Sequence, residues 1–92
     1  MKYIVINGKE LKSKKEFYQE IREKLEFPEY FGNNLDALHD SLSEVNDVTV
    51  LLLNKASLEE NLGSYSERIL RVFRDSEKEN PGLSVKLVFE EE

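Results

Sequence analysis

Asp36, His39 and Asp40 place two carboxylates and the only imidazole of the chain within five consecutive positions. Acid–base catalysis or a divalent metal would use such residue types. On a helix, however, adjacent positions point about 100° apart, so His39 and Asp40 do not readily converge on one ion. A stronger regularity is the recurrence of Asp36, Asp40 and Glu44 at every fourth residue, which would line one helical face. Like charges at that spacing each cost ~0.2–0.5 kcal/mol, and no Lys or Arg in the segment offsets them. The helix macrodipole favours Asp36 at the start, does little for Asp40 and opposes Glu44 at the end. Either the face is merely solvated, or its missing cations belong to a partner.

Phe27, Pro28, Tyr30, Phe31 and Gly32 come just before this helix. Phe27 and Phe31 are expected to roof the core. Tyr30, flat and amphipathic beside the acids, is expected to stay outside as an interface anchor. Other chemistries lack their residues. With no Cys and one His, the chain cannot build disulfides, thiol nucleophiles, zinc–thiolate sites or paired-imidazole sites. It has no phosphate-cradling glycine loop, GxSxG, HExxH or calcium-loop spacing. No cofactor and no metal is expected.

The charge is unevenly placed. Nineteen Asp and Glu against thirteen Lys and Arg leave a net charge of −6. Between Leu25 and Asn54 there is no Lys or Arg, while Glu26, Glu29, Asp36, Asp40, Glu44 and Asp47 supply six acids, the whole of the imbalance. Such a field repels nucleic acid, whose binding needs clustered cations, and steers cationic partners to one segment.

The elements that must position these groups follow from the apolar spacing. Tyr3 to Ile6 is a continuous apolar run ended by Asn7-Gly8, read as a strand buried on both faces. Ser13 and Glu16 have capping-box spacing, and Phe17, Ile21 and Leu25 recur every four residues in a helix that should end before Pro28. Asn33 or Asn34 can cap the next helix, with Leu35, Leu38, Leu42 and Val45 as its apolar stripe. Val48 to Leu53 reads as the central strand. Ser57 and Glu60 are expected to box the start of a short third helix that Gly63 closes with a left-handed residue. Ser64 and Glu67 should box a fourth helix, which buries Ile69, Leu70, Val72 and Phe73 and stops at Asn80-Pro81-Gly82. Leu83 to Leu87 alternates, and Lys86 suits an edge strand. The Glu90-Glu91-Glu92 tail is expected to fray.

Long connections between strands permit crossovers, so the fold class is α/β: a three-stranded parallel β-sheet with four helices packed on it. Ninety-two residues make a single domain, 1–92. With 39% hydrophobic residues it can close a core, yet no apolar run approaches the ~18 residues of a membrane span. A cytoplasmic protein that contacts neither membrane nor nucleic acid is expected, monomeric when free.

The stretch Pro28-Glu29-Tyr30-Phe31-Gly32-Asn33-Asn34-Leu35-Asp36-Ala37-Leu38-His39-Asp40 resembles the signature of the barstar family, intracellular inhibitors of the guanyl-specific ribonuclease barnase. The likeness extends to Val5-Ile6-Asn7-Gly8 and to Leu70-Arg71-Val72-Phe73-Arg74-Asp75. It implies a barstar-like fold and a direct protein–protein partner, a basic ribonuclease. It also implies that the acidic helix and the loop before it plug the nuclease active site. Asp40 matches the acid that takes the place of a substrate phosphate, Asp36 one that pairs with nearby basic groups, and Tyr30 an aromatic that packs on the catalytic histidine. Asn34 and Leu35 fall at contact or scaffold positions, Phe31 beside them is kept as a candidate contact, and Asp75 matches a Glu that joins the acidic patch. The chain departs from the family at three places. His39 stands where a Trp is usual, Asp75 is a methylene short, and Glu44-Val45 replaces a Gly-Trp pair on the rim. These changes point to a cognate nuclease other than barnase. Two alternatives accompany this reading: an immunity or regulatory module for a partner that is not a ribonuclease, and an enzyme built on Asp36, His39 and Asp40.

Overall fold

In the computed structural model, which describes residues 2–88, the chain alternates strands with pairs of helices. Strand β1 (Lys2–Asn7) leads through a single 3-10 turn (Gly8–Glu10) to α1 (Lys14–Leu25) and α2 (Leu35–Leu42). Strand β2 (Val48–Leu53) follows, then α3 (Lys55–Leu62), α4 (Tyr65–Glu79) and β3 (Leu83–Val88). The three strands form one parallel sheet in the order β1-β2-β3, with β2 in the centre as expected. The proposed tail acids, Glu90 to Glu92, lie outside the described residues.

The register aligns Ile4, Val50 and Val85 across the sheet, and Ile6, Leu52 and Leu87 one step further on. Those rows face the helices, and Phe17, Ile21, Leu38, Leu42, Leu58, Ile69 and Phe73 close over them. Each such side chain contributes roughly 1.5–3 kcal/mol when fully buried. The core also contains Tyr18, which the helical periodicity did not single out. Its hydroxyl meets that of Tyr65 at 2.5 Å and ties α1 to α4. Burial, together with this neighbouring phenol, pushes the Tyr18 pKa well above its ordinary value.

Over β1 the opposite face of the sheet is uncovered, which corrects the expectation for that strand, although Thr49 on the central strand is buried there. Tyr3 is 61% and Val5 39% exposed, while Ile4 and Ile6 beside them are buried. Strands in the order β1-β2-β3 joined by two right-handed crossovers carry all their helices on one face. A continuous apolar run therefore does not mean two covered faces here.

The helix caps differ in their chemistry from the expected boxes. Ser13 caps α1 by accepting the Glu16 N–H, but the Glu16 carboxylate takes the N–H of Lys12 rather than that of Ser13. Helix α3 begins earlier than expected, after Asn54 in a left-handed conformation, so Ser57 lies inside it and no capping box forms. Ser64 does precede α4, yet its side chain makes no capping bond. Gly63 has the expected positive φ of 63°, but with ψ at −143° it is not in the left-handed helical region.

Candidate functional site

The loop between α1 and α2 owes its shape to a turn in which the Phe31 N–H donates to the Pro28 carbonyl at 3.0 Å. The two aromatics that follow Pro28 consequently point in opposite directions. Tyr30 is 89% exposed, whereas Phe31 is only 9% exposed. Phe31 packs on Phe27 with ring centroids 5.1 Å apart and on Tyr18 at 6.2 Å. As a side chain it belongs to the core, and among the candidate contact residues it supports the surface rather than forming it.

Helix α2 starts where Asn34 Oδ1 accepts the Ala37 N–H at 2.8 Å, which settles the choice between Asn33 and Asn34. Leu38 and Leu42 are fully buried, and Leu35 is partly buried against the same core. With that stripe inward, Asp36 and Asp40 necessarily face solvent, one turn apart. None of the ion pairs among the described residues involves Asp36, Asp40, Glu44 or Asp75. Glu26, by contrast, is not an uncompensated acid. It ends α1 in a left-handed conformation and pairs with Lys2 at 3.2 Å.

The helix is shorter than its apolar stripe suggested. It ends at Leu42 with Ser43 as C-cap, so Glu44 and Val45 lie beyond it. The cause is distant in sequence. Asn80, just past α4, donates through Nδ2 to the carbonyls of Leu42 at 3.0 Å and Val45 at 2.9 Å, while its Oδ1 accepts the Gly82 N–H. The Ser43 hydroxyl takes the Asp40 carbonyl as well. These bonds hold the residues after Leu42 in their non-helical path and satisfy carbonyls that the end of the helix leaves free. Removing three bonds of this kind leaves partly buried groups unsatisfied, so Asn80→Ala should lower unfolding free energy by about 1–3 kcal/mol in a denaturant titration. A loss within experimental error would mean that the turn after α2 holds itself.

Glu44 and Val45 nonetheless stay with the site. A shallow groove runs between the loop and the outer side of α2, lined by Phe27, Pro28 and Tyr30 on one wall and by Asp40, Ser41, Glu44 and Val45 on the other. Its lining combines apolar side chains with the carboxylates of Asp40 and Glu44, which suits a long cationic or flat side chain. His39 turns the other way, toward α4, where its Nε2 lies 3.0 Å from Glu79 Oε1. Asp75 is exposed one helical turn before Glu79, so the acidic surface continues from α2 onto α4. Glu79 and Asn80 join this region only through the tertiary structure. The only sequence signal was the i, i+4 spacing of Asp75 and Glu79.

For a metal or a proton relay the geometry is unhelpful. His39 is engaged with Glu79 rather than with Asp36 or Asp40, and among the described residues no three His, Asp or Glu side chains converge as a ligand set. Nor is any described helix long and apolar enough to cross a membrane.

The chain is 35% identical over 81 residues to the Bacillus subtilis (strain 168) protein named "Putative ribonuclease inhibitor YrdF", covering 86% of this chain and 89% of that one. Residues 1–90 match the family described as Barstar (barnase inhibitor). The chain belongs to the barstar family.

Proposed function

We propose that the protein inhibits a cationic, guanyl-specific ribonuclease by laying α2 and the loop before it into the nuclease active site. The observation that carries this reading is the pair of solvent-facing carboxylates, Asp36 and Asp40, which have no cation partner among the described residues and stand beside the 89%-exposed Tyr30. A helix face that is unfavourable by itself becomes favourable when a partner supplies the charge. Family membership supports the same direction, as does the name of the Bacillus subtilis relative.

In this reading Asp40 stands where a substrate phosphate would bind and accepts hydrogen bonds from the nuclease's Arg and His. Asp36 pairs with basic groups alongside, and Tyr30 packs on a catalytic ring. Asn34 and Leu35 hold the start of α2, Glu44 and Val45 form the rim, and His39, Glu79 and Asp75 extend contact onto α4. The inhibitor protects the cytoplasm of the cell that makes it. The test is titration of a guanyl-specific ribonuclease, with barnase as first probe, against RNA cleavage, alongside capture of basic proteins from the native host's lysate. Stoichiometric loss of cleavage is expected with the captured nuclease. A captured partner without ribonuclease activity would favour an immunity or regulatory module instead.

Two further outcomes follow from the same surface. Electrostatic steering should make association fast in dilute buffer and slow it about tenfold or more on raising salt, with little change in dissociation. Stopped-flow mixing at several ionic strengths measures this, and an on-rate indifferent to salt would remove the steering account. Adding zinc, manganese or magnesium should leave the melting temperature unchanged, because a bound ion would raise it. A rise that disappears in His39→Ala would turn the reading toward an enzyme.

A further inference from the structure

A three-stranded open sheet has two free edges, here on β1 and β3. Unpaired N–H and C=O groups on such an edge are a template for another strand. Along β3 the pairing with β2 begins with the Val48 N–H donating to the Gly82 carbonyl, so the main-chain groups of Leu83 and Val85 point away from the sheet. They are not left open. The Val85 N–H donates to Glu77 Oε2 at 2.8 Å, and the Val85 carbonyl accepts from Arg74 Nη1 at 3.3 Å. Arg74 and Glu77 are themselves paired at 3.2 Å, and the Leu83 N–H donates to the Asn80 carbonyl. The β1 edge is treated in the same way, with Lys24 Nζ on the Val5 carbonyl at 2.6 Å and Glu20 holding Lys24 at 2.9 Å.

On both edges, then, a helix-borne ion pair occupies main-chain groups that a neighbouring strand would take. An exposed ion pair of this kind adds little to folding stability, which leaves its position on the edge as the feature to be explained. An edge strand that meets its own copy about a two-fold axis pairs antiparallel, and the residue on the axis exchanges both its N–H and its C=O with its counterpart. Val85 lies in the middle of Leu83–Val88 and is the residue whose two groups are both covered. Val88, exposed and apolar on the open face of the same strand, would make an unguarded β3 edge more adhesive. We propose that Arg74 and Glu77 form a side-chain clip that closes the β3 edge to a second copy of the chain.

The test is sedimentation velocity over a range of concentrations, combined with amide hydrogen exchange at Val85, on the full chain and on Arg74→Ala/Glu77→Ala. The unmodified protein should sediment as a monomer throughout, with exchange at Val85 independent of concentration. In dilute solution the double variant should exchange at Val85 about tenfold faster, the loss of one hydrogen bond. As concentration rises it should form dimers, and exchange at Val85 should slow again. Glu77→Gln, which keeps an acceptor for the Val85 N–H, should stay monomeric. A double variant that remains monomeric overturns the proposal, as does one that associates while Val85 exchange stays fast, since another surface is then responsible. Dimers of the unmodified protein protected at Val85 also overturn it. Should circular dichroism show the double variant unfolded, Glu77→Ala alone is judged on the same two readings.

Discussion

Asp40→Ala is expected to weaken binding to the target nuclease by about 2–5 kcal/mol or more, roughly 30- to 5,000-fold in Kd. That range comes from truncated charge pairs at protein interfaces, the barnase–barstar pair among them, and not from this chain. The reason for a large effect is what remains after truncation. Cations of the nuclease that were desolvated against Asp40 would be buried without a partner, which costs more than the net worth of the intact contact. Folding should tell the opposite story. Asp40 is exposed and joins no ion pair among the described residues, so its removal should leave unfolding free energy unchanged or raise it by ~0.2–0.5 kcal/mol through relief of repulsion from Asp36. Only one such neighbour counts, because Glu44 lies past the end of the helix. Glu60→Ala, an exposed acid on α3, is the control and should change binding by less than ~1 kcal/mol. Both variants need a titration against one nuclease and an unfolding curve. Equal small losses in binding would reduce α2 to a solvated acidic face, and a large loss of stability in Asp40→Ala would make the residue structural.

Tyr30 and Phe31 should separate binding from folding in adjacent positions. Phe31→Ala removes a ring packed on Phe27 and Tyr18 and should cost about 3 kcal/mol of folding stability, at the low end of the range for buried aromatics because the site is close to the surface. In a domain of this size that lowers the melting temperature by roughly 12–24 °C. Tyr30→Ala should stay within ~0.5 kcal/mol of the parent in stability, as expected for an exposed side chain. Its affinity should nonetheless fall about 30-fold, the loss typical of an aromatic anchor. Thermal melts and titrations on the same preparations provide both numbers. A Tyr30→Ala protein that binds within threefold of the parent would place the anchor elsewhere, and a Phe31→Ala protein of unaltered stability would return that side chain to the contact surface.

Much of this molecule is local in origin and therefore legible. The stripe of Leu35, Leu38 and Leu42 defines a helix with its own inward side, and Asp36 and Asp40 then have no direction left but outward. Ser13 and Asn34 act as caps within three residues of the amides they accept. The Val48–Leu53 run, which lacks solvent alternation, identifies the central strand, and Lys86 marks β3 as an edge. The Pro28–Phe31 turn lies within four residues, and the expectation that Tyr30 is outside and Phe31 inside agrees with it. These features depend on periodicity and on hydrogen bonds between near neighbours, which a linear reading can follow. Other features depend on where distant segments arrive. The end of α2 is set by Asn80, 38 residues after Leu42. Glu26 is neutralised by Lys2 from the start of the chain, and His39 is drawn from Asp36 and Asp40 to Glu79 on α4. The run in β1 looks doubly buried, yet one of its faces is bare because both crossovers lie on the other side of the sheet. Whether a side chain is covered, or a carbonyl or charge already has a partner, depends on tertiary neighbours that residue order alone does not place.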